Sequence, residues 1–262
     1  MFKRVVLVAA VALLFVPSIV MADSVLGGGT WLSGWVPNNT GNPYWANPSF
    51  DPNSTAANVG YCMTGGVGCT MIGGAPGALP TYVANTTTGA AVTNFWFSNA
   101  LVSSPVGATL QVEVAGLASG NTFGWVATDA FGAIVGPLNT LFPGPAGAGT
   151  AVTFSLGSAT HYAFWLTSGQ GYTFFTTSSA NLDPFGNPLG TNKQHFALFA
   201  PNTNNINTVF YLGIEDLPFT AADKDYNDMV VKITHVPEPG TLALFGTGLL
   251  GIAGVIRRRL KV

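Results

Sequence analysis

The sequence predicts an all-β protein: an antiparallel β-sandwich or jelly-roll-like domain with a loop-rich N-terminal part, set between an N-terminal signal helix and a C-terminal transmembrane helix. Three observations predict it. From Val92 onward, apolar runs recur at short intervals, too short for helices. Several alternate with period two, as Leu110, Val112 and Val114 do with Thr109, Gln111 and Glu113, the mark of half-buried strands. Glycine and proline are abundant, 33 and 17 of 262 residues, and supply turns between those runs. Only 8% of residues are charged, far from the composition of a polar disordered tail, and a 48% hydrophobic share allows a real core.

The elements divide the chain into four parts, 1–22, 23–90, 91–236 and 237–262. Residues 1–22 read as a signal peptide: Lys3 and Arg4 form its basic end, residues 5–16 its apolar run, and Val20-Met21-Ala22 a small-residue exit with cleavage expected before Asp23. The alternative, an uncleaved anchor, would need a longer apolar run. Residues 23–90 are loop-like, punctuated by Gly27-Gly28-Gly29, Asn42-Pro43 and Gly73-Gly74, with Trp31, Trp35, Tyr44 and Trp45 as apolar anchors. Cys62 and Cys69 are expected to pair as a disulfide in an oxidising compartment, a small loop worth about 2–3 kcal/mol. The other reading, a metal or redox pair, lacks a nearby histidine and the C-x-x-C spacing.

In the sandwich, strands are expected near 92–102, 108–115, 122–128, 150–156, 160–167, 171–177, 195–200, 207–214 and 229–235. Residues 209–214 are apolar on both faces and belong in the centre of a sheet. Trp96, Trp125 and Trp165 fall inside strands and read as core more than as ligand platforms. The last part begins with Pro237-Glu238-Pro239-Gly240, continues as an apolar run over residues 241–256, and ends in Arg257-Arg258-Arg259. Sixteen helical residues rise about 24 Å against a hydrocarbon core of ~30 Å. Arginine side chains can bridge the rest by snorkelling, and the positive-inside rule keeps them cytoplasmic with the body outside.

Charge is uneven. Six of nine basic residues lie at the two ends, so residues 23–236 carry three lysines against ten acidic residues. Such a body has no basic footprint for nucleic acid, and DNA or RNA binding is excluded. Five of those ten acids fall between 215 and 228, where a buried strand runs into an acidic loop and a second strand follows. Glu215, Asp216, Asp223, Asp225, Asn227 and Asp228 are the candidate metal ligands, because alternating oxygens in a tight loop can converge on Ca2+. The loop is not an EF-hand: Asp228 stands where that motif has glycine, and Thr234 where it has glutamate. Its competing readings are a metal-free acidic turn with carboxylates capping backbone amides, and a pair of catalytic carboxylates as in a glycosidase.

Other chemistry is sparse. His161, His195 and His235 have no partner at metal-ligand spacing apart from the remote acidic loop, and Ser119 does not sit in G-x-S-x-G. No phosphate-binding loop, H-E-x-x-H or dinucleotide fingerprint appears.

Two stretches resemble known families. Glu215-Asp216-Leu217 followed by Asp223-Lys224-Asp225-Tyr226-Asn227-Asp228 resembles the signature of DUF4114, a domain found in exported proteins; the resemblance implies a calcium-stabilised loop on a β-sandwich, although Pro218-Phe219-Thr220-Ala221-Ala222 replaces the glycines often seen between the two halves. Pro237-Glu238-Pro239, the apolar run and the arginine cluster together resemble the PEP-CTERM sorting signal of Gram-negative bacteria, as against a plain C-terminal anchor. That resemblance implies cleavage by an exosortase in the inner membrane and a surface or matrix destination, in a setting of exopolysaccharide and biofilm. The expected function is a non-enzymatic exported surface or matrix protein. Its rivals are a carbohydrate-binding module, which needs exposed Trp or Tyr beside the acidic loop, and a secreted hydrolase, which needs a cleft with two carboxylates or a Ser-His pair.

Overall fold

The computed structural model describes residues 24–28, 81–82, 94–99, 105–113, 118–144, 146–147, 149–189, 194–200, 209–218, 222, 226, 228–235, 248 and 251–252. The chain divides into two compact units, one of residues Ala22–Val236 and one of Met1–Met21 with Pro237–Val262. In the smaller unit Gly248, Gly251 and Ile252 are helical. Among the described residues no helix is long and apolar enough to cross a membrane. The expected signal helix, the remainder of the expected transmembrane helix, Cys62, Cys69, Pro237, Glu238, Pro239 and Arg257, Arg258 and Arg259 lie outside the described residues.

The larger unit is all-β, built from two antiparallel six-stranded sheets. The first joins β1 (Ser24–Gly28), β3 (Asn94–Ser98), β8 (His161–Thr167), β5 (Thr122–Ala127) and β6 (Asn139–Phe142) in that order, with β9 (Thr173–Phe175) also on β8. The second runs β2 (Thr81–Tyr82), β10 (Phe196–Ala200), β11 (Val209–Ile214), β12 (Met229–His235), β4 (Val106–Glu113) and β7 (Ala151–Phe154). Each of the nine expected strands has its counterpart, and β11 is central as its two apolar faces require. Three strands were not expected. β1 is two-fifths glycine, β2 has two residues, and β6 is a four-residue run between turns. Each holds its place through pairing with a neighbour and not through a pattern of its own.

One core lies between the sheets, as sandwich packing demands. The period-two pattern sends Phe95, Phe97, Phe123, Tyr162, Phe164 and Phe174 inward from the first sheet, and Leu110, Phe210, Leu212, Met229, Val231 and Ile233 inward from the second. Phe97 bridges the layers, stacked on Phe210 at 5.0 Å and on Tyr162 at 5.2 Å. A smaller cluster, Val126, Ala163, Trp165 and Phe175, covers the other face of the first sheet, with Trp96 and Leu182 packed over it. The three strand tryptophans therefore serve packing: Trp165 is buried and its indole N–H donates to the Trp125 carbonyl at 3.0 Å, while Trp125 stacks on Phe154.

Candidate functional site

The acidic corner lies where β11 leaves the second sheet and β12 returns. β11 does not stop at the surface. The Glu215 backbone N–H donates to the His195 carbonyl at 2.9 Å, so Glu215 and then Asp216 are carried inward, 0% and 1% exposed. Burying carboxylates is costly unless donors replace water, and the donors are identifiable. Tyr226 gives its backbone N–H to Glu215 Oε1 at 2.6 Å. The Asn121 side-chain amide gives a proton to Asp216 Oδ2 at 2.8 Å. Asp228 closes the ring, its Oδ2 accepting the Asp216 backbone N–H at 2.9 Å.

Tyr226 is the keystone. Its φ of 58° is the sole positive value at a non-glycine among the described residues. That conformation costs about 1–2 kcal/mol for an L-residue. The ring is fully buried and its hydroxyl donates to the Gln194 carbonyl at 3.1 Å, which offsets the strain. Next to Gln194, His195 is stacked on Phe174 with centroids 3.5 Å apart. Its Nδ1 lies 3.2 Å from the Glu215 carbonyl; a carbonyl can only accept, so that nitrogen carries the proton. Asn121 extends the corner to the first sheet by accepting the Gly169 N–H at 3.1 Å.

Of the six expected ligands, Glu215, Asp216 and Asp228 are drawn into this one network, while Asp223, Asp225 and Asn227 lie outside the described residues. Among the described residues no three His, Cys, Asp or Glu side chains form a metal-binding group. His195, distant in sequence, is brought to Glu215 as a backbone partner. Asn121 carried no signal in the sequence, being an isolated amide whose role exists only after folding, and Gln194 serves through its backbone carbonyl, which no residue type marks. Tyr226 had one, its place in the middle of the acidic signature. Chemically the corner is a set of carboxylates oriented by neutral N–H donors, suited to holding charge in place. Among the described residues the large exposed aromatics are elsewhere: Phe131 and Phe185, 86% and 88% exposed, at the tips of two turns.

No curated protein matches the chain. Among solved structures, the Chromobacterium violaceum lectin CV2L in complex with α-methyl-fucoside aligns with 55% of this chain and 96% of its own length, at 14% identity and a TM-score of 0.28, too loose a superposition to bear on fold or ligand. Family models account for two segments: the chain matches the domain of unknown function DUF4114 over residues 147–235 and carries a PEP-CTERM protein-sorting motif over residues 235–259.

Proposed function

We propose that this chain is a non-enzymatic exported protein of the cell surface or extracellular matrix, sorted through its tail by an exosortase-type protease, with a β-sandwich body whose acidic loop is ordered by Ca2+. The observation that carries the reading is the sorting motif at residues 235–259, which implies export and a surface or extracellular fate after C-terminal processing. Within it the two prolines of Pro237-Glu238-Pro239 disfavour helix, as a protease's substrate segment requires, and by the positive-inside rule Arg257-Arg258-Arg259 favours a cytoplasmic far end. The acidic body without basic patches suits a matrix of neutral glycan and divalent cations, and exopolysaccharide is its expected surrounding. The intact mass of the surface form tests the sorting. It should lack the first 22 residues and the apolar tail, and a mature protein that keeps its three arginines contradicts the reading.

Calcium is supported by the density of acids in sequence, where Asp223, Asp225 and Asn227 fall between Asp216 and Asp228, and by the hydrogen bond that ties Asp228 to the Asp216 backbone. Like charges this dense are relieved by a cation. Thermal unfolding in EDTA and in millimolar calcium should show a rise in Tm with the metal, lost in Asp225→Asn. Binding at a hundred times Kd stabilises by about 2.7 kcal/mol. An unchanged Tm leaves the carboxylates as caps of an ordinary acidic turn.

A further inference from the structure

We propose that the end of the sandwich carrying Phe131 is a lipid-contact surface, through which the body rests on the membrane that the C-terminal tail enters. The two ends of the sandwich can be told apart. At one end Asn121, just before β5, gives its side-chain amide to Asp216, just past β11. That bond sets the Thr122 and Thr167 termini of the first sheet beside the Ile214 and Met229 termini of the second. At the other end residues 155–160, turned back by the Ala159 N–H on the Leu156 carbonyl, carry the chain from Phe154 in the second sheet to His161 in the first. Phe154 lies opposite Val106, and Val106 opposite His235. Thr128 donates its N–H to the His161 carbonyl, and the turn closed by the Thr128–Ile134 bridge projects from there. The turn with Phe131 and the last residue of β12 therefore share one end, and the tail follows β12 directly in sequence.

What that end offers suits a bilayer. Phe131 is 86% exposed at the tip, and Val135, 63% exposed, stands on its shoulder. The exposure is built in. Asp129 Oδ1 holds the N–H groups of Phe131 and Ala133, and Gly132 packs so closely on the Trp96 ring that a Cβ would collide with it. A fixed apolar tip enters lipid with little ordering cost. Charge is sorted to match. Of the six acidic residues described, Glu113, Asp183, Glu215, Asp216 and Asp228 belong to the far end, where Glu113 lies opposite Met229 and Leu182, beside Asp183, bridges Thr173. The sixth, Asp129, has its carboxylate engaged by the turn. From residue 130 to residue 182 the sequence has no Asp, Glu, Lys or Arg. Attraction to anionic headgroups is therefore not the driving force; apolar burial is, and a zwitterionic bilayer satisfies it. One Phe and one Val bind lipid weakly by themselves, but a body tethered by its tail meets the bilayer at high effective concentration. The proposal rests on the reading of residues 241–256 as a membrane segment and stands whether or not calcium binds.

The turn around Phe185 is an internal control. It has the same Asp-x-Phe-Gly build and an 88% exposed Phe, at the opposite end of β8, a seven-residue strand about 20 Å long. Full-length precursors carrying Phe131→p-benzoylphenylalanine or Phe185→p-benzoylphenylalanine are exported in a host without the sorting protease, reconstituted into phosphatidylcholine vesicles, floated and irradiated. Adducts are assigned by peptide mass. Lipid contact predicts phospholipid adducts at position 131 several-fold above those at position 185. With the photoreactive group at Val135 instead, Phe131→Asp should cut the lipid adducts several-fold, and Phe185→Asp should leave them unchanged. Both phenylalanines are exposed, so neither change touches the core. Equal lipid adducts at 131 and 185, or adducts at 131 to a second protein chain in place of lipid, overturn the proposal and leave the tail reading intact. A precursor that does not float with the vesicles overturns the tail reading and this proposal together.

Discussion

Glu215 shows how a side chain that looks like a metal ligand can also be structural. Its Oε1 takes the backbone N–H of Tyr226, a residue held at φ 58° with its ring buried. Removing the carboxylate strands that buried donor. Glu215→Ala should therefore destabilise by about 2–4 kcal/mol, the combined loss of a charge-assisted hydrogen bond and the desolvation of an unmet N–H. Glu215→Gln keeps an acceptor of the same shape and should lose less than half as much. Urea unfolding of the two variants measures the difference, and equal losses would show that the negative charge matters more than the hydrogen bond. How much of this corner was legible follows from chemistry. Glu215, Asp216 and Asp228 stood out because acids crowded into one short loop of a charge-poor body need an explanation. Asn121 could not stand out, because its partner Asp216 is 95 residues away and nothing local marks an amide that folding will bury.

At the scale of elements, two turns are built alike from Asp-x-Phe-Gly. In each, the aspartate Oδ1 accepts the backbone N–H groups two and four residues on: Phe131 and Ala133 from Asp129, Phe185 and Asn187 from Asp183. The glycines take φ 84° and 80°, which the turn needs and other residues resist. In the second turn the Asn187 side chain adds a bond to Asp183 Oδ2 at 2.9 Å. That side-chain bond first, and the Asn187 backbone N–H next, hold the Asp183 carboxyl below the usual aspartate range. Because the folded-state pKa is the lower one, the turn has its full support above the unfolded value near ~3.9 and loses it as pH falls through the folded value. An NMR titration should find Asp183 ionising below a model aspartate, and Asn187→Ala should move it back up. The same local chemistry explains which strands could be read in advance. β4 and β12 announce themselves by alternating faces, whereas β6 is four residues whose place depends on Phe123 and Phe142 meeting across the β5 edge.

At the scale of the whole molecule, the sheets do not respect the boundary of the family match. Residues 147–235 contain β7 to β12, but in the second sheet β12 and β7 are joined only through β4, which lies upstream. In the first sheet β8 loses β3 and β5 and keeps only β9. The core loses Phe95, Phe97, Val106, Ala108, Leu110, Phe123 and Phe142. What remains is a meander of β10, β11 and β12 open at both edges and a short β8–β9 pair, a structure that buries too little apolar surface to offset its chain entropy. The fragment 147–235 should therefore show no cooperative urea transition, and its single tryptophan, Trp165, buried in the intact protein, should emit as if in water. The chain from residue 23 to 236 should unfold in one transition with the emission of a buried indole. A sharp transition from the short fragment would mean that the matched segment is a self-sufficient domain and that β3, β4 and β5 are additions to it. Failure of the short fragment alone places the minimal folding unit across both halves of the body, because each sheet draws its central strands from both sides of residue 147.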